Sequence, residues 1–227
     1  MQNSETRRPG IYKEWTSLNS IQRSSVLGFF LCLILTPSCV SNRATQKPIL
    51  LNSERIERQF GSYNIEVLSQ DSNWRLSNLY SLEGDRKTCR TFAIVEFHNP
   101  ISEAIIEEHR KIASGQSLGA VFKARDWKIS KEHRYVGEIS LTSSVSNVAQ
   151  LMSIEPPTQL AIHLYDFRVT KGQTSVLYAR IAEIHHPDYL TITDLNEIYQ
   201  SRLNKSSDDQ DAVIKELIRK VVLQRNQ

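Results

Sequence analysis

Residues 160–184 read LAIHLYDFRVTKGQTSVLYARIAEI, and this stretch decides the fold. Two runs rich in β-branched and aromatic residues, Leu160–Val169 and Thr174–Ile184, flank Lys171-Gly172. Strand formers on both sides of a glycine at the point of reversal predict a hairpin. An earlier pair repeats the pattern. Arg75 to Leu82 alternates, with Leu76, Asn78, Tyr80 and Leu82 on one face and Arg75, Ser77 and Leu79 on the other. Glu83-Gly84-Asp85 turns the chain, and Lys87 to His98 returns as a long strand. Tyr63, Ile65 and Val67 alternate just before this hairpin, and Trp127–Ile129 and Tyr135–Leu141 have strand character.

Helical periodicity appears between these strands. A short helix is predicted from Asn52 or Ser53 to Phe60, ended by Gly61. Ser102 suits an N-cap, with Ile105, Ile106, His109, Ile112 and Ala113 at helical spacing and Gly115 at the end. Two helices close the chain. The last, Asp208–Gln224, has acidic residues at its start and basic ones at its end, as the helix dipole favours. The predicted class is α+β: an antiparallel sheet built from hairpins, with flanking helices. The organisation read from these signals is a signal or membrane-anchor segment over 1–39, a tether over 40–51, the α+β domain over 52–190, and a helical extension over 191–227.

The N-terminal segment sets the expected location. Ser24 to Val40 carries no charge, follows Arg23 and contains Cys39. Its apolar centre, Val26 to Leu35, has the length of a signal-peptide core and is shorter than the ~20 residues a spanning helix needs. Leu35-Thr36-Pro37-Ser38-Cys39 is similar to a bacterial lipobox, in which the cysteine is lipidated; Thr36 and Pro37 depart from that pattern. A cleaved lipoprotein and an uncleaved single-pass anchor both attach the chain to a membrane of the cell envelope, with the domain on the non-cytoplasmic side. A buried core helix is the third reading.

Composition narrows the partners. The whole chain has a formal charge of +3, and without residues 1–38 it is near neutral at +1, with no Lys/Arg run. Such a domain has no electrostatic footprint for nucleic acid. Of three cysteines, Cys32 and Cys39 lie in the apolar segment and only Cys89 remains, so the domain has no internal disulfide framework. Cys89 alternates away from Arg90 and is expected to be a small buried hydrophobe.

Taken in order, the elements resemble the chorismate–pyruvate lyase family and the related UTRA ligand domains of bacterial transcription regulators. The residues that carry the resemblance are Ser53-Glu54-Arg55-Ile56-Glu57-Arg58 before an alternating strand, Arg75 at the start of the next strand, Arg90-Thr91 fifteen residues on, Gly115–Phe122 with its Leu118-Gly119 turn, and Glu183-Ile184-His185-His186-Pro187. They span about residues 52–190. The resemblance implies a chorismate lyase-like fold and a pocket for a small, aromatic carboxylate. Arg75 would grip the carboxylate, the backbone at Leu118 would donate to it, and Glu183 would meet the hydroxyl or ether end. A planar guanidinium suits bidentate carboxylate binding, and a carboxyl at the far end of a closed pocket suits a leaving oxygen. In an active lyase giving 4-hydroxybenzoate and pyruvate, Glu183 would be catalytic, with no metal or organic cofactor. In the non-catalytic alternatives the domain only binds its ligand, or serves as a structural or interaction lipoprotein in which Arg75 and Glu183 form a cross-strand ion pair.

Two rival patterns have weaker support. Gly115-Gln116-Ser117-Leu118-Gly119 matches the Gly-x-Ser-x-Gly of serine esterases, with Asp166 and His185 following in chain order. That elbow requires a strand before the serine, whereas the sequence predicts a helix there. His185 and His186 are adjacent on a predicted strand and point to opposite faces, so no metal site is expected. His109 is read as a core or boundary residue of its helix, and Trp127 and Tyr135 as core residues.

Overall fold

The computed structural model describes residues 50–140, 146–155 and 158–203. The proposed lipidation site Cys39, most of the tether, the Ser-rich stretch, Pro156-Pro157 and the helix read over Asp208–Gln224 lie outside the described residues. Among the described residues no helix is long and apolar enough to cross a membrane.

Six strands, β1 (Asn64–Gln70), β2 (Trp74–Glu83), β3 (Arg86–Phe97), β4 (Lys128–Ser140), β5 (Gln159–Lys171) and β6 (Thr174–His185), form one antiparallel sheet in the order β1-β2-β3-β6-β5-β4. The fold class expected from the hairpins is therefore observed. Each half of the chain contributes a three-stranded meander, and the two halves join where β3 pairs with β6. The helices are α1 (Asn52–Phe60), α2 (Ile106–Ala113) after a 3-10 turn at Glu103–Ile105, α3 (Leu118–Lys123), α4 (Ser146–Met152) and α5 (Ile192–Tyr199).

Local chemistry explains the boundaries. Glu54 reaches back to accept from the Leu51 backbone N–H, while Gly61 ends α1 at φ +75°, a left-handed conformation that glycine adopts without a Cβ penalty. Thr191 and Asp194 form a reciprocal capping box at the start of α5. The strand predicted in two pieces around Trp127–Leu141 is one strand, β4, with a bulge at Arg134: His133 pairs with Tyr165 and Tyr135 with Leu164. The polar run between the pieces broke the apolar alternation without breaking the backbone ladder. The short helix α4 had no sequence signal strong enough to predict it. Ile106, read as part of the apolar stripe of α2, is exposed at 36 %.

The sheet's two faces carry different layers. On one face Leu76, Phe92, Ile94, Ile162, Leu164 and Ile184 pack with Val148, Ala149 and Met152 of α4. Cys89 sits in this core as expected, and burial pushes its thiol up to about 12. The opposite face is covered by α1, α2, α3 and α5. Ile112, Val121 and Phe122 pack on Val95, Phe97 and Phe167, and Ile56, Leu195 and Tyr199 pack on Leu79, Ala93 and Ala161. Leu195 and Tyr199 of α5, read from sequence as part of a C-terminal extension, are 0 % and 1 % exposed and belong to the domain core. The candidate site lies on this helix-covered face.

Candidate functional site

Strand register places the site. Ser77 pairs with Ala93, Ala93 with Glu183, Glu183 with His163 and His163 with Val136, giving one row of side chains across five strands. A neighbouring row runs Arg75, Val95, Ile181, Tyr165 and His133. Over these rows lies a cavity of about 70 Å³. Its floor includes Ser77, Ala93, Ile181, Tyr165 and Glu183, and its roof is formed by Leu51 and the Ser117-Leu118-Gly119 start of α3. The roof elements approach closely: a Cβ on Gly119 would stand 2.9 Å from Leu51 Cδ1. Lys123 of α3 also pairs with Glu54 of α1.

Leu118 and Glu183, to which the family resemblance assigns ligand contacts, both line this cavity. Leu118 opens α3, rather than standing in the turn read from sequence. Arg75 lies one hydrogen bond away from the cavity. Its Nε donates to Ser77 Oγ at 2.9 Å, and Ser77 is a lining residue. The rest of the guanidinium holds the end of α2. Nη1 donates to the carbonyls of Ile112 (3.1 Å) and Gln116 (2.8 Å), and Nη2 to that of Gly115 (3.2 Å). Arg75 is 0 % exposed, and no carboxylate pairs with it among the described residues. Burial lowers its pKa, and its charge is met by the negative end of α2. The Arg75–Glu183 cross-strand ion pair of the structural alternative is not formed.

The other end of the cavity is built around Glu183, which is 4 % exposed. Tyr165 OH donates to its Oε1 at 3.0 Å, and the ammonium of Lys131 lies 4.0 Å from Oε2 and 4.1 Å from the centre of the Tyr165 ring. His163 Nδ1 is 3.8 Å from the same Oε2. Burial alone would raise the Glu183 carboxyl, but the Lys131 ammonium, with the His163 ring nitrogen beside the carboxylate, outweighs it and holds the group below the ordinary carboxylate range. An ionised Glu183 accepts hydrogen bonds, so a bound hydroxyl is its natural partner. Tyr165, packed against this carboxylate and fully buried, has its phenol pushed far up.

Sequence reading missed Lys131, Tyr165, His163 and Ser77. Lys131 and His163 lie on strands separated by α4, and only the β4–β5 register brings them to one carboxylate. Ser77 had a signal, since it shares a strand face with Arg75, two residues away.

The rival patterns do not assemble. Ser117 precedes α3 and follows α2, not a strand. Asp166 is held on the opposite sheet face from His185, by Arg134 (2.8 Å) and Arg180 (3.0 Å). His109 Nδ1 meets Tyr178 OH at 3.0 Å, and Trp127 is buried with its indole N–H donated to Glu108. Among the described residues no group of His, Cys, Asp or Glu has the geometry to hold a metal ion. No family model matches the chain, and no curated protein matches it.

Proposed function

We propose that this domain binds a small hydroxy-substituted carboxylate and is held at a membrane of the cell envelope by its N-terminal segment. One observation carries the binding reading: the buried charges around the cavity are unbalanced. Glu183 is neutralised by Lys131, whereas Arg75 has no acidic partner among the described residues. A buried cation without a carboxylate therefore stands directly behind Ser77. Two strand spacings, about 10 Å, separate Ser77 from Glu183. The ligand's carboxylate lies at Ser77, whose hydroxyl accepts from Arg75 and is left free to donate into the cavity. Leu118 at the start of α3 closes over it, and the ligand's hydroxyl donates to Glu183. The remaining wall is apolar, as ligand pockets generally are.

Size sharpens the ligand class. An engineered apolar cavity that takes benzene is about 150 Å³, so a space of about 70 Å³ holds only a slim, unbranched acid as it stands, with its hydroxyl at the far end of the chain from the carboxylate so that it reaches both Ser77 and Glu183. An aromatic acid, the ligand implied by the resemblance to chorismate–pyruvate lyases and UTRA domains, enters when the side chain of Leu51 swings off Gly119. Calorimetric titration with 4-hydroxybutyrate and with 4-hydroxybenzoate tests the reading. Heat for either acid, together with weaker binding of the counterpart lacking the hydroxyl, is the expected outcome; no heat and no thermal shift with any acid would overturn it. Pyruvate release from chorismate, abolished by Glu183→Gln, would promote the domain to a lyase.

A further inference from the structure

The Glu183 end of the cavity continues into a chain of imidazoles that reaches the other side of the site. His163 is 0 % exposed, and its Nδ1, 3.8 Å from Glu183 Oε2, has no hydrogen-bond partner. Its Nε2 lies 2.9 Å from His133 Nδ1. His133 in turn lines a groove formed with Lys131, Glu132, Ser201, Arg202 and Leu203. The rings are held in place by stacking. His163 lies 4.0 Å from the Tyr199 ring at 16°, and Tyr199 OH accepts from Arg55.

One assignment of the ring protons satisfies every contact. If His163 carried its proton on Nε2, a bare nitrogen lone pair would face an anionic carboxylate. With the proton on Nδ1, His163 points a donor at Glu183 and accepts at Nε2 from His133 Nδ1–H. His133 Nε2 is then an acceptor available toward the groove.

We propose that Glu183, His163 and His133 form a proton relay between the cavity and the groove, making the Glu183 end an acid–base site for the ligand's polar oxygen. This rests on the binding reading above and adds a chemical role to it. A proton taken from water at His133 Nε2 releases the one on Nδ1 to His163 Nε2. His163 passes its Nδ1 proton to Glu183 Oε2, and Glu183 delivers it to the ligand oxygen. The net change is one proton from solvent to ligand with both rings left as Nε2–H tautomers, and the reverse sequence removes one and restores them. No oxidant or further reactant is needed. The 3.8 Å step closes when the carboxylate rotates toward His163, as such contacts tighten on ligand binding. His163 and His133 act through Glu183 and are positioning residues.

The surroundings set the pH behaviour. Glu183 faces Lys131 from β4, His163 and Tyr165 from β5, His185 from β6, Arg55 from α1 and Tyr63 from the segment before β1. His133 faces His163, Lys131, Arg202 and Glu183. Burial, followed by these cations, keeps both relay histidines neutral, with His133 pushed down to about 3. The relay therefore works by neutral rings passing protons along, not by storing a charge.

Nitrogen NMR of the full chain with labelled histidine rings tests the proposal, using 4-hydroxybenzoate or 4-hydroxybutyrate to fill the cavity. Both rings are expected as Nδ1–H tautomers, and Glu183→Gln is expected to shift His133 as well as His163. With the cavity filled, solvent reaches the His163 ring proton only through His133. His133→Phe keeps a ring for stacking but removes the nitrogens, and should slow that exchange by about tenfold or more. His133→Gln provides a second variant should the phenylalanine disturb the fold. Equal exchange rates in the wild type and both variants, or a His133 signal blind to Glu183→Gln, would overturn the relay. Absence of any ligand effect alongside intact His133–Glu183 coupling would instead count against the binding reading.

Discussion

The two ends of the cavity each carry a buried charge, and they treat it in opposite ways. Arg75 directs its donors to three carbonyls at the end of α2 and to the Ser77 hydroxyl, so its guanidinium is part of the scaffold. Glu183 is met by a phenol, an ammonium and a ring nitrogen without a hydrogen-bond partner, all of them side chains rather than backbone. The comparison teaches that burial of a charged side chain does not by itself mark a reactive group. What its partners can do decides: backbone carbonyls only fix a cation, whereas titratable side chains let a carboxylate change state.

The largest effect expected from this contrast is structural. Arg75→Met takes the side-chain donor from the Gly115 and Gln116 carbonyls and from Ser77, leaving Ile112 only its bond from the Gly115 N–H, and should cost about 3–5 kcal/mol, lowering the thermal midpoint by roughly ten degrees. A midpoint equal to that of the wild type would break the comparison at its Arg75 end. Acid comes next. Burial holds His133 and His185 neutral, each pushed down to about 3, so the folded chain refuses protons that the unfolded chain accepts near pH 6.5. Their contribution is complete above about pH 6.5 and is lost as pH falls toward 3, by roughly 3 kcal/mol for each ring at pH 4. Glu183, whose folded pKa is also depressed, adds its own loss only below the ordinary carboxylate range. Urea unfolding at pH 7 and pH 4 measures the sum, and an unchanged midpoint would sink it.

Glu183→Gln is expected to cost less than Arg75→Met, about 1–2 kcal/mol, because the amide keeps an acceptor for Tyr165 and the Lys131 ammonium retains the Tyr165 ring. Its main effect should be on binding: preference for the hydroxy acid over its unsubstituted counterpart falls by about tenfold. Equal preference before and after the change would sharpen the comparison against a binding role for Glu183. Smallest in energetic terms is the thiol. Cys89, pushed up to about 12 by burial, should resist thiol reagents in the folded chain and react on unfolding. Rapid labelling of the native protein would show that the core around β3 opens.

Legibility in the sequence followed the range of the interactions. The hairpins at Gly84 and Gly172 were readable because a strand, a turn and its return lie within a few residues, and the period of two fixes the faces. The helix at Asn52–Phe60 was readable from its polar Asn52-Ser53 start and from Gly61 for the same reason. Cys89 was placed correctly by alternation alone. Arg75 was singled out through the resemblance to the lyases, yet the carbonyls that hold it come some forty residues later, from Ile112 onward. The Lys131–Glu183–His163 cluster had no local signal, because its members lie on three strands whose register is set only when the meanders close.

By itself, then, the sequence determined an α+β chain of hairpins and flanking helices, a membrane-directed N-terminal segment as an expectation, and Leu118 and Glu183 as residues to watch. Only the tertiary structure decided that β3 pairs with β6, which lines Ser77, Ala93, Glu183 and His163 along one row. It also decided that Arg75 is held by backbone and that Glu183 is joined to His163 and His133. The physical reason is that alternation and turn chemistry are local, while the partners of a buried charge are chosen by strands and helices that meet only when the sheet is complete.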